Sequence, residues 1–274
     1  MTLKTRNSLT KYFFFFSLLV IAIVSAIFIT AVVTKSVIPP ESLRIFQLPD
    51  DFVLTQYNFT ATMLSAALLT LYVPFSLLLL LQYFENTQST EVIFFCGVLI
   101  GCLCESARVV IPLFGIWQSY SPVLFFTGRI IFSGRLMVPL YFFAAATLSE
   151  SEQRHNVERN FTIMLALAAV ISTAMPMNTA QTTTTCTPVE GFSSIATVIR
   201  MLIFIIAGGA FFINAKKHDS PELRNLSIFY TITTAGYLIL TVTDNFLLLG
   251  IGAVLLGFGT PNYLLNLHRL YMWK

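Results

Sequence analysis

The run VIFFCGVLIGCLCESARVVIPLFGI, residues 92–116, decides the fold. It exceeds the roughly 20 apolar residues that a helix needs to cross about 30 Å of hydrocarbon. Its only acidic and basic side chains are Glu105 and Arg108. The whole chain has the same character, with 56% hydrophobic and 11% charged residues and a mean hydropathy of +0.78, where a soluble domain carries about 25% charge. The fold class expected is therefore all-α, a polytopic transmembrane helical bundle.

Working outward from 92–116, seven more stretches of similar length and apolarity appear, giving spans at 12–34, 59–83, 92–116, 122–148, 160–177, 192–214, 226–243 and 246–267. The last two are separated only by TDN at 243–245. Asp and Asn favour tight turns, and the combined stretch is too long for one ordinary helix. The organisation is one anchor plus seven: residues 1–34 as a cytoplasmic start and signal-anchor helix, 35–58 as an outer loop, 59–267 as a seven-helix domain and 268–274 as a cytoplasmic tail. The first span has the basic start of a secretory signal, but its apolar run is too long and no A-x-A site closes it, so it is expected to be retained.

Orientation follows from the basic residues, which short cytoplasmic loops collect. Lys4, Arg6, Lys11, Arg154, Arg159, Lys216, Lys217, Arg224, Arg269 and Lys274 fall on one side of an eight-span arrangement, and Lys35 and Arg44 on the other. Both termini are expected in the cytoplasm, the low lysine content inclining toward a bacterial inner membrane. Cys96, Cys102 and Cys104 lie in the third span and Cys186 in an outer loop, a pattern that suggests neither a disulfide framework nor a zinc site.

An offset of 65 residues aligns ERNFTI (158–163) with LRNLSI (223–228), Arg135 with Arg200, and LYVPF (71–75) with LMVPL (136–140). This register suggests repeated helical hairpins made of spans 2–3, 4–5 and 6–7; chance matching of apolar residues is the alternative. The Thr-rich segment NTAQTTTTCTPVEG (178–191) reads as an irregular cap or a short extended piece. Pro74 and Pro139 are expected to kink their spans. Gly250, Ala253 and Gly257 form a small-residue stripe suited to close helix packing, and Pro261 and Asn262 are placed to break the last turn of the final span.

Five ionisable groups fall in the middle and outer half of the expected bundle: Glu105, Arg108, Arg129, Arg135 and Arg200. Each costs about 2.5–3.5 kcal/mol at a helix centre, so they must pair, meet water or meet a ligand. Glu105 and Arg108, three residues apart, share one helix face. Arg129 and Arg135, six apart, point about 120° from each other. One carboxylate against four guanidiniums leaves a local surplus of positive charge, with Asp244 at the outer turn as the nearest additional acid. Guanidinium binds carboxylate or phosphate bidentately and stays charged when desolvated. The five residues thus point to an outward-opening pocket among spans 3, 4 and 6 for an acidic metabolite, lipid headgroup or inorganic anion. The competing expectation is a structural network satisfied by Glu105, backbone carbonyls, and the Ser and Thr of the spans.

No catalytic constellation is expected. His155, His218 and His268 lie outside the hydrophobic interior, and neither H-E-x-x-H nor G-x-S-x-G occurs. Ser133 has no His in reach. The sequence suggests no enzyme activity, cofactor, metal site or nucleic-acid module. The layout resembles bacterial seven-helix sensory modules in topology alone, without a diagnostic motif, and carries over no residues. Three functions are expected in order: a receptor-like sensory protein that binds a small anion or lipid and relays through a partner at loops 149–159 and 215–225, since no output domain follows the last span; a small transporter or lipid-handling protein; and a structural subunit of a membrane complex. The partners expected are the lipid bilayer, an anionic small molecule or lipid, and a cytoplasmic or membrane protein.

Overall fold

The computed structural model describes residues 3–40, 42–43, 54–87, 89–148 and 157–272. Its helices are α1 (Leu3–Val33), α2 (Phe59–Phe84), α3 (Thr90–Cys104), the short α4 (Ile116–Ser119), α5 (Ser121–Leu148), α6 (Val157–Ala174), α7 (Ser193–Lys217), α8 (Pro221–Val242) and α9 (Phe246–Met272). Three strands, β1 (Ser42–Leu43), β2 (Met177–Thr183) and β3 (Pro188–Glu190), form one small sheet in that order. Among the described residues all helices but α4 are long and apolar enough to cross a membrane, eight in total, with α3 continued by a 3-10 turn over Glu105–Val110. The helical, eight-span fold read from the sequence is the fold of the protein.

The strands and the α8–α9 turn lie at one end of the bundle, the strand end. Lys4, Arg6, Lys11, Arg159, Lys216, Lys217, Arg224 and Arg269 sit toward the other, the basic end. Arg44, Glu152, Arg154, His155 and Lys274 lie outside the described residues, as does most of the loop 149–159.

Helix ends are fixed by local chemistry. Asn58 accepts the Thr60 amide at 2.8 Å to start α2, and Ser220 accepts Leu223 ahead of Pro221 to start α8. The first turn of α9 is closed by Asn245, which accepts the Leu248 amide at 2.9 Å. These side chains satisfy amides that a helix start leaves without partners. At the basic end, the buried Arg6 of α1 donates to the Phe84 and Thr87 carbonyls, and Asn7 donates to Glu85 at 2.7 Å. A cation on the last carbonyls of α2 suits both their lone pairs and the helix dipole.

The centre is built by α3 and α5, in which 72% and 78% of the apolar window is buried, against 11% for α1 and α6. The latter two are therefore peripheral. Below the strand end, Phe95, Phe142, Phe211, Tyr230 and Tyr263 interlock with ring centroids 5.0–6.4 Å apart. The expected hairpins are present as packed antiparallel pairs, α2 with α3, α5 with α6 and α7 with α8, but the most extensive packing joins α8 to α9.

Three local expectations are corrected. The third span is not a continuous helix to residue 116: the α-helix stops at Cys104, tightens to 3-10 winding and ends before Pro112, which has no N–H to continue the ladder. The close packing of α9 does not use Gly250 and Gly257. Gly250 and Gly257 face open space, whereas Gly236, Gly252 and Gly259 are the contact residues, a side-chain carbon on Gly236 falling 2.5 Å from the Leu256 nitrogen. The helical phase explains this, since Gly252 and Gly259 lie two residues from the expected stripe, on a different face. Pro261 does not break α9, which runs on to Met272; Asn262 donates to the Phe258 carbonyl at 2.8 Å beside the interruption. The Thr-rich segment takes the extended form of its two expected alternatives: it is a β2–β3 hairpin, with Thr184, Thr185 and Cys186 of its tip buried in the bundle.

Candidate ligand-binding site

Glycine brings the site together. Gly101 of α3 faces Gly134 of α5 so closely that a side-chain carbon on either would lie 2.7 Å from the other's carbonyl oxygen. One turn beneath, Gly97 lies flat against the Tyr141 ring. Small residues allow this approach of two membrane helices. Glu105 follows Gly101 by one turn and Arg135 follows Gly134 directly, so the two are delivered to each other.

Glu105 has no exposed surface and uses both oxygens. Oε1 accepts Nε of Arg135 at 2.8 Å, and Oε2 accepts Nη2 of Arg135 and Nη1 of Arg108, each at 3.3 Å. Arg108, also fully buried, reaches onward from Nε to the Thr185 carbonyl at 2.8 Å and from Nη2 to the Ser65 hydroxyl at 3.4 Å. Arg135 donates in addition to the Thr241 carbonyl of α8 at 3.2 Å. Irregular backbone at this depth needs protein partners. Arg108 supplies one for the hairpin tip, and Thr62 supplies another by donating to the Thr184 carbonyl at 3.2 Å.

The remaining arginines stand elsewhere. Arg129 is not part of the cluster. It donates to the Thr173 carbonyl near the end of α6 at 2.8 Å and lies 3.9 Å above the Phe125 ring, a helix-capping role on the side of α5 that its phase dictates. Arg200 of α7 approaches the cluster but pairs with Glu190 of β3 at 3.4 Å. The expected surplus of charge is thereby reduced, because Glu190 supplies a second carboxylate. Asp244 does not enter the cluster either; it accepts Thr184 at 3.5 Å and Asn245 at 3.0 Å at the strand end.

A cleft of about 510 Å³ opens between α7 and α8 under the β2–β3 hairpin, with Arg135 as its inner wall. Arg200 and Glu190 stand on its sides, while Met201, Phe204 and Leu238 make it largely apolar. This cleft is lined by α5, α7 and α8, the fourth, sixth and seventh spans, and not by Glu105 or Arg108. Tyr237 lines the cleft, is 3% exposed, and its hydroxyl has no hydrogen-bond partner among the described residues. A buried hydroxyl without a partner carries a desolvation cost of about 1–3 kcal/mol. It lies in the field of Arg135, Arg200 and Glu105.

Sequence reasoning missed Glu190 and Tyr237, which belong to a loop strand and to an apolar helix face and carry no motif. It also missed Glu91, a buried carboxylate at the basic end that accepts Ser89 at 2.8 Å and the Tyr271 hydroxyl at 2.5 and 2.7 Å. Glu91 precedes the expected third span by one residue. Of the cysteines, Cys186 is buried at the hairpin tip, where burial pushes its thiol up to about 12 despite the opposing charge of Arg108. Among the described residues no cluster of three His, Cys, Asp or Glu is arranged to hold a metal.

Compared with protein-family models and with curated protein sequences, the chain matches none.

Proposed function

We propose that this protein is a receptor-like integral membrane protein that binds an amphiphilic anion, a carboxylate or phosphate head on an apolar chain, in the α7–α8 cleft. The observation that carries this is the meeting of Arg135, Arg200 and the Tyr237 hydroxyl, unpartnered among the described residues, in a cleft walled by apolar side chains. Arg135 keeps Nη1 beyond its bonds to Glu105 and Thr241, and guanidinium is suited to such heads. The 42% exposure of Met201 on the cleft rim supports access from the side of the bundle, where lipid chains lie.

Binding is favoured over transport because the cleft draws its lining from the strand-end half of the spans, while Phe142, Phe211, Tyr230 and Tyr263 fill the bundle beyond Phe204. The burial of Glu105, Arg108 and Arg135 speaks against a subunit that offers its charges to a partner helix. The two walls of the cleft meet at the basic end in the short turn 218–220, so a ligand that wedges them apart is felt at the 215–225 loop, where a partner protein would dock. As part of the same reading we propose a bacterial inner membrane as the setting with both termini cytoplasmic, which the bias of basic residues toward one end supports.

The test is thermal stability of the full chain in nanodiscs of neutral phosphatidylcholine, with dodecyl phosphate, dodecanol or inorganic phosphate added. A ligand at 100 times its dissociation constant adds about 2.7 kcal/mol. Dodecyl phosphate is expected to stabilise the wild type and to lose most of that effect in Arg200→Gln, with dodecanol inert. Equal stabilisation of both proteins, or none, rejects the proposal; stabilisation by inorganic phosphate alone assigns the site to a free anion.

A further inference from the structure

Glu190 sits where a ligand's anion would sit. It contacts Arg200 through one oxygen at 3.4 Å, where Glu105 grips Arg135 with both of its oxygens, the shorter bond at 2.8 Å. Its side chain keeps 11% of its surface exposed, whereas that of Glu105 keeps none. The strand that carries it, β3, has three residues and lies at the edge of the sheet, bonded to β2. The hairpin tip beside it is pinned by Arg108 at Thr185 and by Thr62 at Thr184. The rim can therefore move while the tip stays in place. A guanidinium beside hydrocarbon needs a counter-charge at all times, and Glu190 meets that need in the free cleft.

Resting on the ligand reading above, we infer that Glu190 is a built-in surrogate anion: an incoming carboxylate or phosphate head displaces it from Arg200 and releases β3 from the cleft rim. Ligand binding and hairpin position are then one equilibrium. The apparent affinity is lowered by the fraction of molecules in which Glu190 still holds the site. Specificity follows too, because Glu190 repels a second negative charge and a weak anion fails to displace it.

The experiment measures binding of dodecyl phosphate to the full chain in phosphatidylcholine nanodiscs for wild type and Glu190→Gln, together with deuterium uptake of the amides at 189–191. Removing the competing charge is expected to tighten binding about fivefold, the scale of one partly exposed ion pair. In the wild type, ligand should raise deuterium uptake at 189–191. In Glu190→Gln, uptake should already be high and change little. Binding that is unchanged or weaker in Glu190→Gln overturns the inference and leaves the ligand site standing, as does tighter binding without any change in uptake, which would signify long-range repulsion alone. Dodecylphosphocholine provides a further arm: if Glu190→Gln weakens it specifically, Glu190 binds the ligand's cation and is not displaced. If neither protein binds dodecyl phosphate, the ligand site and the surrogate fall together.

Discussion

At the scale of single residues, Glu105 has the largest expected effect. Two fully or nearly buried guanidiniums share its carboxylate, and removing one partner of a buried ion pair strands the other in a medium that cannot solvate it. Glu105→Gln is expected to lower stability by about 3–5 kcal/mol, measured by denaturant unfolding of the purified protein in detergent. Glu190→Gln, at a pair held by a single 3.4 Å contact with a little exposed surface on each side chain, should cost clearly less. Equal losses would contradict the division between a structural core and a labile rim. This division is only partly legible in the sequence. The expense of charge in lipid singles out Glu105, Arg108 and Arg135, and helical phase alone turns Arg129 away from Arg135. Nothing local says that Glu190, ten residues before Arg200 and in a strand, will reach it, because such a pair is made by the fold. Cys186 gives a second test at this scale. Its thiol is raised by burial from an ordinary 9.0 to about 12, so the folded state holds its proton where the unfolded chain releases it. Stability from this group is complete below about pH 9 and declines as pH rises from there toward 12. At pH 8 a maleimide should leave Cys186 unmodified in the folded protein and modify it after denaturation, as read by peptide mass; rapid modification of folded protein would place the hairpin tip in water.

At the scale of elements, glycine position matters more than glycine content. Gly134 faces the Gly101 backbone and the Cys104 side chain, and a side-chain carbon there would lie 2.5 Å from the Cys104 Cβ. Gly257 meets nothing within 4 Å. Gly134→Ala is therefore expected to separate α3 from α5 and to cost about 1–3 kcal/mol, in the range of overpacked cores. Gly257→Ala should be neutral or stabilising by up to about 1 kcal/mol, because alanine is the better helix former. Denaturant midpoints of the two variants against wild type check the contrast, and a harmless Gly134→Ala would refute the close crossing that aligns Glu105 with Arg135. The sequence reveals that such stripes exist, since small residues stand out among Leu, Ile and Phe. It does not reveal which stripe meets a helix and which meets lipid, because both surroundings are apolar and hydropathy cannot tell them apart. The same limit hides the 3-10 end of α3, where composition continues unchanged past Cys104 while the winding does not.

At the scale of the whole molecule, the eight spans are legible because the bilayer imposes length and apolarity on every crossing segment, and the structure reproduces them with shifts concentrated at their ends. The cleft is not legible, since it arises from the splay of α7 and α8 beneath a hairpin contributed by a distant loop. Direction across the membrane is a separate matter, carried by charge. Lys4, Lys11, Arg159, Lys216, Lys217, Arg224 and Arg269 gather at the basic end, whereas Lys35 stands at the strand end. Cationic loops are retained on the cytoplasmic side, which predicts that the cleft under the hairpin faces away from the cytoplasm and samples ligands from the outer leaflet. Gln118 is an exposed side chain at the strand end and Lys216 one at the basic end. In intact cells, an impermeant maleimide should label Gln118→Cys and spare Lys216→Cys, and permeabilisation should make both reactive, with the wild-type chain as the background for its own four cysteines. The reverse pattern would turn the cleft toward the cytoplasm. The ligand would then have to come from the inner leaflet, and the turn joining α7 to α8 would face an extracytoplasmic partner.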